Sequence, residues 1–325
     1  MYPVAMAERR LDIRDMLELE EVGGWMYASK MLWSPPAAPI VFGGQLVGLS
    51  LAAGFRTVDN DFIAHSLHTQ FLRRVDKSSP VEFKVTELSS GCNFVSRTVD
   101  CFQNKKPVMH MICNFTKQDG KRNTQHEYQK QIPDIALPES EVPGIPSEPA
   151  ISAPSSNVKD DDEDTLVEGK GHYVLDPQGY PYGFPAEIWV KELDKDLTKP
   201  APPKQHMWLR CPSTTPRQIQ FQQCILATYS DLHFTRVIVR PFGIRVAPWP
   251  KILKKIVSID HHIWFHKLAD PSDFILVDTW CSQFSSGRGI VQSEMYSEDG
   301  QYVASVVQEG RVEIDPAAVL PAPKL

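Results

Sequence analysis

Ser66-Leu67-His68-Thr69-Gln70-Phe71 and Ile259-Asp260-His261-His262-Ile263-Trp264 line up as one pattern, with His261 following His68 by 193 residues and an aromatic residue closing each run. Working outward, Ser89-Ser90-Gly91 matches Ser285-Ser286-Gly287 at an offset of 196, and Val108-Met109-His110-Met111-Ile112-Cys113 matches Val303-Ala304-Ser305-Val306-Val307-Gln308 at 195. Upstream, Leu49-Ser50-Leu51-Ala52-Ala53-Gly54-Phe55-Arg56 corresponds to Cys224-Ile225-Leu226-Ala227-Thr228-Tyr229-Ser230-Asp231. Blocks in the same order at a nearly constant offset are the signature of a duplicated unit. In it Asp231 stands against Arg56, Ser258 against Ala64 or His65, and Gln308 against Cys113. His68 and His261, paired by the same alignment, are expected to be packing residues because both halves carry them.

Each unit reads as one helix followed by strands. Thr215-Pro216-Arg217-Gln218 has a hydroxyl N-cap, proline in the first turn and glutamine at the third helical position, which predicts a helix over about 216–229. Leu46, Leu49, Ser50 and Ala53 share a face after Phe42-Gly43-Gly44-Gln45, and the small residues Gly48, Ala52, Ala53 and Gly54 are expected to let a sheet approach closely. The runs Val81–Leu88, Asn93–Phe102, Val108–Phe115, Ile275–Gln283, Ile290–Tyr296 and Tyr302–Ile314 are rich in β-branched and aromatic residues, and Gln103-Asn104-Lys105 and Glu298-Asp299-Gly300 read as tight turns between them. One helix against an antiparallel sheet, twice, is an α+β architecture.

The chain has 325 residues with 42% hydrophobic and 23% charged, enough to bury a sizeable core. A net charge of −6 disfavours sequence-independent nucleic-acid binding, which needs a basic face. No run reaches the roughly 18 apolar residues of a membrane span, and Met1–Arg10 lacks the apolar core of a secretory signal. The six cysteines show no CxxC or CxxH spacing, so reduced buried thiols are expected, with no zinc site and no disulfide framework. Six prolines between Pro133 and Pro154, followed by Lys159-Asp160-Asp161-Asp162-Glu163-Asp164, mark a stretch that cannot offset its chain entropy by burial. The expected division is a first repeat at 8–118, a linker or insertion at 119–165, a second repeat at 166–315 and a tail at 316–325.

Phe42-Gly43-Gly44-Gln45 and His65-Ser66-Leu67-His68-Thr69-Gln70-Phe71-Leu72-Arg73 resemble the N-terminal half of the type II acyl-CoA thioesterases, the TesB group and its peroxisomal relatives. The second half adds Tyr229-Ser230-Asp231-Leu232, Ser258-Ile259-Asp260-His261-His262-Ile263-Trp264-Phe265-His266, Ser286-Gly287-Arg288-Gly289, Asp299-Gly300 and Val303 through Gly310, in that family's order. The resemblance covers nearly all of the chain outside the linker. It implies a double hotdog fold and a catalytic set of Asp231, Ser258 and Gln308, on one half only. A carboxylate can take a proton from water, and general-base help of this kind is worth about 10²–10⁴-fold. A hydroxyl and an amide can each accept one hydrogen bond and donate another, so Ser258 and Gln308 can hold that water. Direct attack by water is preferred to a covalent Ser258, since no histidine of the implied set pairs with it.

Several further expectations follow from the same resemblance. The substrate is an acyl-CoA or a related acyl thioester, with Gly287, Arg288 and Gly289 as candidate binding residues and Arg73, Arg74 and Lys77 as a second basic group for phosphate. Leu226, Phe234, Trp264 and Phe71 are candidate acyl-channel residues. Neither G-x-x-x-x-G-K-[ST] nor G-x-G-x-x-G occurs, so no cofactor and no metal is expected. A homo-oligomer is expected. Pro323-Lys324-Leu325 resembles the Ser-Lys-Leu address read by the peroxisomal import receptor, so the peroxisome is the expected location, with the cytoplasm as alternative. Other readings are a thioesterase for a specialised polyketide or secondary-metabolite thioester, a hydratase, and a non-catalytic acyl-binding protein. Hydratase chemistry in such folds uses an Asp with a His five residues on, and Arg236 stands at that spacing from Asp231.

Overall fold

The computed structural model describes residues 11–35, 40–118, 127–138, 172–175, 184–192, 199–211, 218–244 and 253–315. Apolar residues at alternate positions, such as Val95, Val99 and Cys101 or Val306 and Val312, turn to one face and make strands with a single buried side. The first half supplies a one-turn helix α1 (Ile13–Met16), β1 (Leu19–Glu21), β2 (Met26–Ser29), helix α2 (Gly43–Phe55), β3 (Phe62–Phe71), β4 (Glu82–Ser90), β5 (Phe94–Gln103) and β6 (Lys106–Lys117). The second supplies β7 (His172–Leu175), β8 (Glu187–Glu192), β9 (Lys204–Arg210), helix α3 (Ile219–Tyr229), a 3-10 helix (Phe234–Phe242), β10 (Leu253–Ser258), β11 (Asp260–Phe265), β12 (Ile275–Ser285), β13 (Arg288–Ser297) and β14 (Tyr302–Ile314). The strands form one antiparallel sheet in the order β1-β2-β4-β5-β6-β3-β11-β14-β13-β12-β9-β8-β7, with β10 pairing β14 off that path. This is the double hotdog arrangement, two helix-plus-sheet units continuous through β3 and β11.

The register at that seam corrects the repeat alignment by one residue. His68 lies opposite His262, Leu67 opposite Ile263, and Thr69 opposite His261. An internal two-fold axis through the first pair relates His68 to His262 and Leu67 to His261, an offset of 194. Because side chains alternate with period two, a one-residue slip exchanges the faces. His68 and His262 sit half-buried on the outer face with their Nδ1 atoms 3.0 Å apart, whereas Leu67 and His261 are fully buried on the inner face. The repeated histidine is therefore His262, and His261 has no histidine counterpart.

The two helices pack antiparallel on the inner face, and glycines set their separation. A Cβ at Gly44 would lie 2.3 Å from the Thr228 carbonyl oxygen, and one at Gly48 would lie 2.1 Å from Thr228 Oγ1 and 3.0 Å from the Cys224 carbonyl oxygen. Of the small residues expected to admit a sheet, Gly48 admits the other helix, and Gly54 meets the sheet at Cys113 and Phe115. Gln45 anchors the start of α2, accepting from the Trp33 N–H and donating to the Met16 and Met31 carbonyls. Helix α3 begins at Ile219 with Gln218 as its extended N-cap and no side-chain cap bond, so Gln218 does not occupy the third helical position expected of it. Thr215-Pro216-Arg217 lie outside the described residues, as do the acidic run 159–164 and the tail 316–325.

Two features break the symmetry. The alignment offset grows from 175 at Arg56 and Asp231 to 194 at the seam because the second half inserts the 3-10 helix and β10 between helix and central strand. That 3-10 helix rests on a glycine pair: Gly289 lies opposite Gly310, and Cβ atoms there would meet Ile238 at 2.9 Å and Thr235 at 2.8 Å. Residues 127–138 of the expected linker run without strand or long helix, and Ile132, Ile135 and Leu137 cover Trp208, Phe274, Leu276 and Tyr296, while Trp208 Nε1 donates to the Ala136 carbonyl.

Gly48→Ala is expected to lower unfolding free energy by about 1–3 kcal/mol, the usual range for overpacking a tight contact. Urea denaturation in a Thr228→Ala background should show a smaller loss, because the nearest clashing atom is gone; equal losses in both backgrounds would show that this contact does not set the helix spacing.

Candidate active site

Asp231 lies just past the end of α3, in the turn that leads to the 3-10 helix, with Ser230 as the helix C-cap. The antiparallel packing brings the start of α2 against it. The Gly44 N–H and the Gln308 side chain both hydrogen-bond its carboxyl, and a Cβ at Gly43 would come within 2.8 Å of Asp231 Oδ2. The open N–H groups of a helix start favour negative charge, so the first repeat supports a carboxylate that the second repeat carries. Burial is the larger influence, and it pushes the carboxyl up to about 7 against those two hydrogen bonds.

Gln308 interrupts the inward row of β14. Ala304, Val306, Gly310 and Val312 are its apolar or small neighbours on that face, and Gln308 is itself fully buried. The ordinary alternation that would turn a glutamine outward applies instead to Glu309. A buried amide needs partners for every polar atom, and Gln308 has them. Its Nε2 donates to Ser258 Oγ at 2.5 Å, its side chain reaches Asp231, and its Oε1 contacts His261 Nδ1.

Ser258 ends β10 where the chain breaks step along β14. Up to Ser258 the strand pairs with residues 310–314, and from His262 the next strand pairs with 304–307. Ile259 between them sends its N–H to the Glu309 carbonyl, and its carbonyl accepts from the Phe71 N–H and Gln70 Nε2. Asp260 Oδ1 takes the Glu309 N–H at 2.7 Å. The step brings the Ser258 hydroxyl against Gln308, while the Ser258 backbone keeps Gly310 as its ladder partner.

His261 is the residue that sequence reasoning set aside. Its Nε2 is 2.8 Å from Ser230 Oγ, its Nδ1 is on Gln308 Oε1, and the Phe234 ring packs edge-on against it with centroids 5.7 Å apart. Burial pushes the imidazole down to about 4, a neutral ring at ordinary pH, with the Gln308 contact opposing the shift. Gly43, Gly44, Ser230 and His261 were quoted as motif letters. Only the packing gives them a place around Asp231.

The structure thus brings Asp231, Ser258 and Gln308 together and leaves the remaining candidates elsewhere. Arg288 projects from the outer face and pairs with Glu309 at 3.1 Å, while Gly287 serves the left-handed turn after β12 and Gly289 supports the 3-10 helix. Trp264 is on the outer face beside His68 and His262, away from the helix-sheet interior where Leu226 and Phe234 are buried. Phe71 stays close: a Cβ at Gly43 would meet its ring at 3.3 Å. Arg73 reaches back to the Pro107 carbonyl at 2.5 Å. At the equivalent end of the helix pair, Arg56 lies over the Tyr27 ring and the Cys113 thiol is pushed up to about 12 by burial. There Gln223 of α3 clamps Ala64, accepting from its N–H at 2.9 Å and donating to its carbonyl at 2.8 Å.

Residues 184–311 match a family model described as acyl-CoA thioesterase, and residues 31–116 match one described as acyl-CoA thioesterase N-terminal domain. The Haemophilus influenzae protein named acyl-CoA thioesterase 2 is 28% identical over 84% of this chain and 87% of its own length. The Saccharomyces cerevisiae protein named peroxisomal acyl-coenzyme A thioester hydrolase 1 is 24% identical over 93% of this chain and 94% of its own. The solved structure of a tesB protein from Mycobacterium avium subs paratuberculosis superposes with a TM-score of 0.68 at 25% identity, covering 92% of this chain and 97% of that one.

Two outcomes test the electrostatics of the carboxyl. If ionised Asp231 is the base, kcat/KM falls on the acid side with an apparent pKa near 7, and a profile flat from pH 5 to 8 would contradict it. Because the folded-state pKa is raised, the buried charge opposes folding above about pH 7 and its burden disappears toward pH 4. Asp231→Asn should therefore melt higher than wild type at pH 8 and converge with it near pH 4. With both halves matched in order and the fold shared, the chain belongs to the acyl-CoA thioesterase family.

Proposed function

We propose that the chain hydrolyses acyl-CoA thioesters to the free acid and CoA at the cluster of Asp231, Ser258 and Gln308. One observation carries this reading: a buried glutamine joins a hydroxyl to a carboxyl whose pKa is raised to about 7, where it can both take and return a proton near neutrality. Ionised Asp231 takes a proton from a water as that water attacks the thioester carbonyl carbon. Ser258 accepts from Gln308 and keeps its own proton free to orient the water or the substrate. Collapse of the tetrahedral species breaks the carbon–sulfur bond, and the proton on Asp231 passes to the leaving thiolate. Water is the only co-substrate.

Direct attack is favoured over a covalent serine by the hydrogen bonds present. The Ser258 hydroxyl receives a donor, and both nitrogens of the nearby His261 are engaged by Ser230 and Gln308, so among the described residues no histidine addresses the hydroxyl as a base. The division into repeats at 8–118 and 166–315, the 119–165 linker and a homo-oligomeric assembly belong to the same proposal. So does peroxisomal residence, with the cytoplasm as alternative, supported by the name of the yeast relative. The Pro323-Lys324-Leu325 tail lies outside the described residues.

Thiol release from acyl-CoAs of increasing chain length, read with a thiol reagent, tests the reaction and the site together. Wild type should turn over, and Asp231→Asn, Ser258→Ala and Gln308→Ala should each lose about 10²-fold or more in kcat while remaining folded. Binding of acyl-CoA without turnover, unchanged by Asp231→Asn, would favour a non-catalytic acyl-binding protein. Turnover indifferent to Asp231→Asn would move the site elsewhere.

A further inference from the structure

A primary amide looks nearly the same after half a turn about its last bond, yet the two settings of Gln308 are chemically opposite. With Nε2 toward Ser258 and Asp231, both of its hydrogens have acceptors. Turned over, it aims a carbonyl oxygen at a buried carboxylate and withdraws the donor that carboxylate needs. Nothing in Ser258 alone forbids the wrong setting, because a hydroxyl both donates and accepts. Beside Asp231, a second constraint comes from the group on the far side of the amide.

That group is His261. An amide oxygen only accepts, so the contact between Gln308 Oε1 and His261 Nδ1 requires the proton on Nδ1. Nε2 of a neutral ring is then an acceptor, and Ser230 Oγ, 2.8 Å away, has a proton to give it. The same hydroxyl is also 2.8 Å from the Ala227 carbonyl, so its one proton is shared or chosen between the two acceptors. Ser230 precedes Asp231 in the chain. With that proton directed to His261, the hydrogen bonds close a ring, Ser230 to His261 to Gln308 to Asp231, each donating to the next and the last joined to the first by a peptide bond. Phe234 packs against the imidazole and the residue is fully buried, so the ring plane is fixed. The two-fold related residue is Leu67, which offers no such donor at the blind end of the helix pair.

We propose, building on the assignment of Asp231, Ser258 and Gln308 above, that His261 is a positioning residue that holds the Gln308 amide in its working orientation by donating from Nδ1 to Oε1, without touching water or substrate itself.

The experiment compares kcat and KM for acyl-CoA hydrolysis by His261→Asn, His261→Ala and His261→Gln, with melting temperatures alongside. An asparagine amide can place an N–H close to where Nδ1 stood, whereas a glutamine reaches toward the Nε2 position. His261→Ala and His261→Gln should lose about 10-fold or more in kcat with KM within about 3-fold, and His261→Asn should recover most of that loss. If all three lose kcat in proportion to their fall in melting temperature, His261 is a packing residue and the proposal fails. Nitrogen NMR of histidine-labelled protein gives an independent reading, with the resonance that vanishes in His261→Asn expected in the Nδ1–H tautomer; an Nε2–H tautomer would overturn the proposal. Gln308→Ala separates the two levels. If Gln308→Ala leaves kcat unchanged, the site assignment is at fault; if it lowers kcat and His261→Ala does not, only the positioning role is.

Discussion

The close approach of the two helices at Gly44 and Gly48 is the contact on which the rest of the site depends. With no side chain at either position, α2 can lie against the Thr228 and Cys224 backbone, and its first turn then sits beside Asp231. That places open N–H groups of one repeat next to the carboxyl of the other. Without it, Asp231 would lose the Gly44 donor that partly offsets the effect of burial on its carboxyl. The motif letters Phe42-Gly43-Gly44-Gln45 thus serve geometry at every position described: Gln45 ties the helix start to the preceding loop, Gly44 gives its N–H and its small size, and Gly43 leaves room for the carboxylate.

Duplication supplies the frame and asymmetry makes the site. At one end of the helix pair Gln223 closes on the Ala64 backbone; on α2 the matching position is Gly48, which has nothing to close with, and Ser258 remains available to Gln308. At the same end Cys113, with its thiol held neutral by burial, stands where the second half has Gln308. The inserted 3-10 helix adds the Phe234 ring over His261 and is itself seated on the Gly289 and Gly310 pair. The second glycine of the Gly-Arg-Gly run and the glycine of the Glu-Gly run therefore support a helix that begins three residues after Asp231.

Strand periodicity and the repeat were legible in the sequence because burial on one face leaves a period-two record, and glycine- or asparagine-containing turns punctuate it. The alignment was less exact. Two histidines in succession, His261 and His262, both match His68, and only the pairing across the seam decides which one shares its face. Asp231, Ser258 and Gln308 stood out as candidates through motif resemblance and not through spacing, since their 27- and 50-residue separations in the chain carry no periodic signal. Ser230, His261 and the N–H of Gly44 were not legible at all as site members. Their roles arise from helix-on-helix packing and from the break between β10 and β11, neither of which a linear pattern encodes. Arg288 illustrates the converse, a charge beside a conspicuous glycine motif that the sheet turns outward to Glu309.

In the proposed reaction the duplicated frame carries one working end, built where the start of α2 meets Asp231. A crystal structure with a non-hydrolysable acyl-CoA analogue, its thioester sulfur replaced so that the carbonyl persists, tests this most directly. The predicted result is a single analogue per chain with its carbonyl carbon within reach of a water held by Asp231 and Gln308. An analogue seated at the Arg56, Ala64 and Cys113 end, or one at each end, would contradict it.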